Sequence, residues 1–475
     1  MEKNLFRTTF EPMKLKYLFI VTAIVIGVFI ISCKKTSFIT SADALLFTST
    51  DTLHFGTIFT ATGSITQSFK IFNPNGQKLL INQLALQGGT ASAFKLNVDG
   101  AAASSFSNIE IAPNDSIYIF VAANITVGAT NLPFFIQDSI GVNYNGKETF
   151  IQLDAYGQNA RFLKNASVTK DTIWNNDLPV VVLGALNINQ GKTLTINKGV
   201  QVYCHADALI TVNGTLKALG EKNEDERIVF RGDRLDDYYN NLPGSWPGIS
   251  FGKSSINNQL DYANIYNATN AITADNPAAN SNPKLIMNQC IISNASATGI
   301  FAVYSSINAT NCLISNCTNN IKIAAGGNYN FTHCTVASYN TNFLFHETPV
   351  LSVGNIDDNN QVFPLTTNFV NSIFYGDDGF VTEEISIQQT VNNQFSLNFE
   401  NVLYKSTNST TAAFSNSIQG LAPAFVSIDY TNDKYDFHLL PESPCVNTGK
   451  YTSVSLDLDG NPRDNSPDIG CYELK

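Results

Sequence analysis

Two cysteines and two asparagines bracket a short apolar core in TNCLISNC, residues 310–317. Residues of these types can hold a metal ion, close a disulfide or stack in a repeating core, and their surroundings must decide. Zinc needs about four convergent nitrogen or sulfur ligands, and beside Cys312 the near sequence adds only Cys317 and His333. The segments NQCIISN and THCTVAS place Cys290 and Cys334 at equal steps from Cys312 (312 − 290 = 22; 334 − 312 = 22). Equal steps mark a stacked repeat. A second constellation lies in RLDDYYNNLPGSW, where Asp236, Asp237, Tyr238, Tyr239 and Trp246 are candidates for glycan binding. Aromatic faces there would stack on sugar rings while carboxylates accept hydroxyl hydrogens. The plainer alternative has Trp246 opening a strand and the tyrosines covering its side. A third constellation is DLDGNPRDNSPD, with Asp457, Asp459 and Asn461 at positions one, three and five of a calcium-type loop and Asp468 at twelve. Pro462 stands where such a loop needs glycine, so a simple turn competes with calcium, the one cofactor these residues suggest.

The elements that must position these residues are stacked coils. Two residues after each repeated cysteine come Ile292, Ile314 and Val336; four after come Asn294, Asn316 and Ser338; eleven after come Phe301, Ile323 and Phe345. Each offset repeats one chemical type. Alternation puts cysteine and the second residue on one face of a strand. Asn at a bend can bond its amide to those of the coils above and below. The pattern predicts a parallel β-helix with a core ladder of Cys290, Cys312 and Cys334 and an amide ladder that includes Asn294 and Asn316. The thiols of the ladder are expected free, because coils lie ~4.8 Å apart while a disulfide wants Cβ atoms at ~3.8 Å. The same phases recur with Ala263 and Ile265, Ser372 and Phe374, and Val402 and Tyr404, in longer coils from which loops must bulge. A leucine-rich repeat has a similar period, but β-branched residues and Asn occupy the places of its leucines.

Ahead of the coils, residues 43–158 read as short alternating strands separated by NPNG, APND and NYNG, an antiparallel sandwich. This segment resembles the immunoglobulin-like modules of bacterial surface proteins. It contains no cysteine for an inter-sheet bridge and no reactive constellation, so its expected role is a spacer or docking module.

Composition agrees with an all-β chain. Of 475 residues only 14% are charged, while Asn, Ser and Thr abound. A formal net charge of -11 offers no basic face for phosphates, which argues against nucleic acid as a partner. Near the start, MKLKYLFIVTAIVIGVFIISC has two lysines and then an apolar run from Tyr17 to Ile31, the layout of an export signal. That run falls short of the ~20 apolar residues a membrane span prefers. The residues IISC resemble a bacterial lipobox, which implies a signal peptide over 1–33, acylation of Cys33 and a tether over 34–42. Several acyl chains, at ~0.8 kcal/mol per buried methylene, would fix the protein to a membrane. The expected location is therefore the bacterial cell envelope, lipid-anchored at the outer membrane on its periplasmic or surface face. Export permits disulfides, and Cys445 and Cys471 flank the closing segment, so these two are candidates for a bridge.

ITVNGTLKALG, RIVFRGDR and SWPGISF resemble the entry coils of right-handed parallel β-helix proteins of the pectin-lyase-like class. YDFHLLPESPCVNTG and DLDGNPRDNSPDIGCYE are similar to the terminal segment of many bacterial surface β-helix repeat proteins. With the repeats, the resemblance spans most of residues 180–475. It implies a right-handed solenoid over 159–440 and a closing segment over 441–475, expected to cover the last coil, whose strand edges would otherwise be open. Enzymes of this class are lyases that use calcium, a basic residue and acidic ligands, or hydrolases that use grouped aspartates. Asp377 and Asp378 in YGDDG are similar to those paired aspartates, one protonating the leaving oxygen and another activating water, and Glu383 and Glu384 or Asp357 and Asp358 could join them. The accompanying Gly-His-Gly and Arg-Ile-Lys type motifs are missing, and acidic pairs on polar loops are ordinarily solvated. His54, His205, His333, His346 and His438 form no spaced motif. The expectation is a non-catalytic surface module that binds glycans or serves a structural role, with a polysaccharide or a cell-envelope protein as partner. A polysaccharide lyase or glycoside hydrolase is the alternative.

Overall fold

The computed structural model describes residues 37–60, 62–127, 133–376, 379–390, 394–407 and 413–475. Cys33 with the export segment, and Asp377 with Asp378, lie outside the described residues. The chain forms two units, one of residues up to 55 with 62–125 and 135–155, the other of 56–61, 126–134 and 156–475.

In the first unit two five-stranded sheets make the sandwich. Along Gln67–Asn73 and Asp115–Ala123, Phe69, Ile71, Ile119 and Val121 are buried while Lys70, Phe72, Tyr118 and Phe120 take the alternate positions. This period of two lets one strand serve a core and a surface. Asn145 and Gly146, both with positive φ, turn Phe134–Tyr144 into Lys147–Gln158. Those dihedral signs are what a two-residue hairpin loop requires.

The second unit is a parallel β-helix whose strands stack in three ladders. Ala263–Tyr266, Ile291–Ser293, Leu313–Ser315, Thr335–Ser338 and Ile373–Gly376 are successive rungs of one ladder. Its register pairs Ile265 with Ile292, then Ile314, Val336, Phe374 and Tyr404, the column expected two residues after cysteine. Cys290, Cys312 and Cys334 sit in the core as fully buried free thiols. They donate to backbone carbonyls rather than to one another's partners in a bridge, for example Cys290 Sγ to Leu260 O at 3.2 Å.

The column expected at Phe301, Ile323 and Phe345 does not form. Phe301 pairs with Lys322, Ile323 pairs with Ala302, and Phe345 is 68% exposed. The strand Thr298–Thr310 steps by 21 at its start (319 − 298 = 21) and by 22 after a bulge between Val303 and Ser305 (327 − 305 = 22). Tyr304 and Ala325 take positive φ at that bulge, so the extra residue sits in a bend and the total period survives.

Two bend columns flank the first ladder. One runs through Tyr262, Gln289, Asn311, His333, Asn371, Asn401 and Asn416, and the other through Asn267, Asn294 and Asn316, all with positive φ. Asn adopts the left-handed region more readily than other non-glycine residues, which explains why the coils are so rich in it.

The closing segment packs on Ile418 of the last coil and runs back along the flank of the coils before it. Asn401 Nδ2 donates to Thr448 O at 2.9 Å, Asn371 Nδ2 to Lys450 O at 2.7 Å and Asn311 Nδ2 to Leu456 O at 2.5 Å, while His333 Nε2 meets Thr452 Oγ1 at 3.3 Å. The strap thus meets earlier coils as it proceeds. Its Cys445, Leu458, Ile469 and Cys471 bury the outward-facing Leu313, Ala337, Ile373 and Leu403. An apolar column on an outer face is what requires cover. Gly470, at φ +112, lies against Ile373, and a Cβ there would come within 2.8 Å of its Cδ1. Cys445 and Cys471 share this cluster as free thiols, so the expected bridge is absent, and burial pushes each thiol up to about 12.

Candidate functional site

The second bend column opens into a cleft of about 280 Å³. Its floor carries Arg231, Tyr266 and Ser293, which are successive rungs of one outward column, with Asn267, Asn294 and Asn316 beside them. One rim is the insertion between Ile228–Gly232 and Gly248–Phe251, which contains the short helix Asp237–Asn240. The other rim joins the turn at 341–344 to the hairpin of Phe425–Asp429 and Lys434–Leu439, bringing Thr341, Phe343, Asp433 and Tyr435 to the cleft.

Hydrogen bonds hold both rims on the bend column. Asn267 Nδ2 donates to Asn240 O at 2.7 Å, and Asn294 Nδ2 donates to Asn241 O at 2.7 Å and to Asn267 Oδ1 at 2.8 Å. Asn316 Oδ1 accepts from Tyr339 N at 3.0 Å, Asp433 Oδ1 from Asn342 N at 2.9 Å, and Asn340 O from the Tyr435 hydroxyl at 2.6 Å. Thr341 Oγ1 accepts from Leu344 N at 2.9 Å and so fixes the turn that presents Phe343. The rims meet where Tyr238 stands edge-on to Phe343 at 6.2 Å. Fixed rims spare a ligand the ordering cost that a mobile loop would add.

The electrostatics are set by Arg231. Its Nη2 donates to Asn240 O at 2.8 Å and to Asn240 Oδ1 at 2.5 Å, both neutral acceptors. Burial lowers its pKa from the ordinary guanidinium value, and among the described residues no carboxylate pairs with it. Its Nε, and Asn294 Oδ1, are buried without a hydrogen-bond partner. Unpaired buried polar atoms are uncommon.

The structure divides the predicted glycan residues. Tyr238, 64% exposed, and Tyr239 belong to the first rim, and Tyr239 lies 3.8 Å from the Arg234 guanidinium. Asp236 is held by Arg234 at 2.9 Å. Trp246 must be removed from the list: it is fully buried and its Nε1 donates to Tyr266 O at 2.9 Å. An indole fits a core when its one polar atom finds such an acceptor. The side chain of Asp237 lies outside the described residues. Arg231, Thr341, Phe343, Asp433 and Tyr435 were not singled out in the sequence. The usable signal was that long insertions leave neighbouring coils beside one Asn column.

The candidate catalytic glutamates are held by internal bonds. Glu384 is fully buried, meets His346 Nε2 at 2.9 Å and accepts from Val350 N at 3.2 Å. Gly376, the first glycine of YGDDG, gives His346 and Glu384 room, since a Cβ there would lie 2.2 Å from His346 Nε2. Glu383 accepts from the Ser406 hydroxyl and from Thr407 N at 2.9 Å. Both carboxylates thereby fasten long loops.

The calcium-type loop is also filled from within. Asp457 accepts from Asp459 N at 3.0 Å, Asn461 N at 2.7 Å and Glu473 N at 3.0 Å, and Asn461 Nδ2 turns back to Asp457 at 3.2 Å. Asp468 accepts from Asn447 N at 2.7 Å and Leu474 N at 2.6 Å. Asp459 meets His438 Nε2 at 2.9 Å. These residues make a turn closed by N–H donors, and among the described residues no group of three or more His, Cys, Asp or Glu side chains could hold a metal ion.

No family model matches this chain, and no curated protein matches it. Among solved structures it is similar in part to a family 123 glycoside hydrolase from Clostridium perfringens, at 11% identity and a TM-score of 0.18, over 26% of this chain and 26% of that one. The VesB protease of Vibrio cholerae is similar at 14% identity and a TM-score of 0.17, over 24% of this chain and 31% of that one. A PapD-like domain of human CEP192 is similar at 8% identity and a TM-score of 0.17, over 27% of this chain and 92% of that domain. The chain thus spans about a quarter of the length of the first of these and under a third of the second.

Proposed function

We propose that this is an exported protein, lipid-anchored at Cys33 in a bacterial cell envelope, whose β-helix binds a glycan in the cleft without cleaving it. The observation that carries this reading is the combination of the aromatic rings of Phe343 and Tyr435, with Tyr238 edge-on to Phe343 at the rim, and the neutral amides of Asn294 and Asn316 along one floor. Sugar rings present apolar faces and hydroxyl edges, and such a site offers a counterpart for each. The unpaired Arg231 guanidinium would favour a glycan with an anionic substituent. The likeness to pectin-lyase-like coils is part of the same reading and supports a polysaccharide as the ligand.

The test is to incubate the soluble chain, residues 36–475, with a panel of polysaccharides with and without calcium. Retention on one immobilised glycan, with neither new reducing ends nor unsaturated products, is the expected result. Products that vanish on Asp377→Asn would overturn the non-catalytic reading. The anchor has its own check: the full chain should incorporate labelled palmitate, and Cys33→Ala should abolish that incorporation.

A further inference from the structure

We propose that the sandwich carries a second saccharide site, an aromatic platform on which rings of a neutral polysaccharide chain lie flat. It goes beyond the cleft reading and uses none of its residues. The platform is the outer face of the sheet containing Gln67–Asn73 and Asp115–Ala123. Register sets its rows: Phe47 opposite Phe72, Lys70 opposite Tyr118, and Ser68 opposite Phe120, with Asn97 beyond. Residues directly opposite share a face, so these side chains form one surface.

Four large rings stay in solvent there, with Phe47 55%, Phe72 36%, Tyr118 49% and Phe120 41% exposed. Tyr118 and Phe120 are nearly parallel, 18° between planes at 6.1 Å between centroids. Lys70 Nζ stands 4.6 Å from the Tyr118 ring centre. Beside the rings a depression of about 450 Å³ is lined by Phe47, Phe72, Asn114 and Asp115 among others. An exposed aromatic group of this size marks an interaction site.

Its composition selects the partner. Parallel rings interleaved with Ser, Asn and Lys suit a ligand that is apolar on one face and hydroxylated at its edge, which describes a pyranose ring. A lipid surface draws on clusters of basic residues, and this chain has a net charge of -11.

The experiment is affinity electrophoresis of residues 36–475 through native gels containing mixed-linkage β-glucan, xylan or α-mannan. Tyr118→Ala and Phe120→Ala are introduced together, in the natural chain and in a chain already carrying Tyr238→Ala and Phe343→Ala in the cleft. The platform pair should weaken binding to at least one polymer about tenfold in both backgrounds with an unchanged melting temperature, as exposed substitutions allow. If only the cleft pair lowers retention, the platform proposal fails and the cleft reading stands. If only the platform pair does, the cleft reading fails and the platform stands. No retardation of the natural chain in any of the three gels would overturn the proposal. So would concentration-dependent self-association that the platform pair abolishes.

Discussion

The two bend columns of the β-helix use one backbone device toward opposite ends. Along Asn311, His333, Asn371 and Asn401 the side chains are bonded to the molecule's own closing strap. Along Asn267, Asn294 and Asn316 the amides hold two loop rims and leave a cleft between them. A bend asparagine tolerates the left-handed backbone and still has an amide to offer, so what the chain lays beside it decides whether the column is sealed or open. The strap side also has an apolar outer column to cover, whereas the cleft side shows Arg231, Tyr266 and Ser293. On the proposed function, sealing serves stability and opening serves binding, and substitutions should separate the two.

The largest effect is expected on the sealed side. Arg463 is 1% exposed and donates to Glu473 at 2.8 Å, to Asn311 Oδ1 at 2.9 Å and to Gly470 O at 2.9 Å. Arg463→Ala leaves the buried Glu473 carboxylate without its cationic partner, with only backbone N–H donors such as Asp468 N at 3.0 Å, a loss of about 3–5 kcal/mol in urea unfolding. Below the new unfolding midpoint, glycan retention by the cleft should persist. A loss under about 1 kcal/mol would show that the strap does not seal this flank.

On the open side the expected loss is smaller. Asn294→Ala places a residue without a polar side chain at φ +60 and removes the ladder bonds, for about 1–3 kcal/mol. Asn294→Gly relieves the backbone term but not the lost amide. Thermal unfolding should therefore rank natural chain, Gly and Ala in that order, while glycan retention falls in both variants. Equal stability of the two variants would remove the backbone from the explanation.

The strap should also respond to pH. His438 lies between Asp436 at 2.5 Å and Asp459 at 2.9 Å, stacked on Tyr472, and these carboxylates hold its pKa up at about 9. A folded-state value above the ordinary 6.5 means that the protonated ring stabilises the fold. Its contribution is complete below about pH 6.5 and is lost as pH rises through about 9. The difference in urea midpoint between pH 6 and pH 10 should shrink in His438→Gln. An undiminished difference would assign it to other groups.

The smallest change belongs to the cysteine ladder. Ser372 already occupies a position equivalent to the cysteines and donates to Val370 O at 3.0 Å. Cys312→Ser can use Thr310 O, which Cys312 Sγ meets at 3.3 Å, so its cost should stay near 1 kcal/mol in urea unfolding. A loss several times larger would mean that sulfur packing, rather than a small side chain, sustains the column.

The repeat was legible because its register is local: Cys290, Cys312 and Cys334 are separated by whole coils, and alternation fixes which neighbours face inward. The column at Phe301 was misread because a bulge at Tyr304 changes the step inside one strand while preserving the period. The strap's path depends on pairings such as Asn311 with Arg463, across 152 residues, which no local pattern records. The cleft was half legible for the same reason. Tyr238 and Tyr239 stand in a polar insertion that announces itself, but Phe343 and Tyr435 reach the site only through coil stacking and a returning hairpin. Trp246 follows the plainer alternative, packed in the core of the coils with its Nε1 donating to Tyr266 O.

The central claim, that the open column is a glycan site, is tested most directly by the affinity of residues 36–475 for the glycan that retains them, measured with Tyr238→Ala and Phe343→Ala together. Phe343 lines the cleft and Tyr238 stands edge-on to it at the rim, so affinity should fall at least about tenfold while the melting temperature stays unchanged. Unaltered affinity with both rings removed would contradict the account and return the cleft to a structural role.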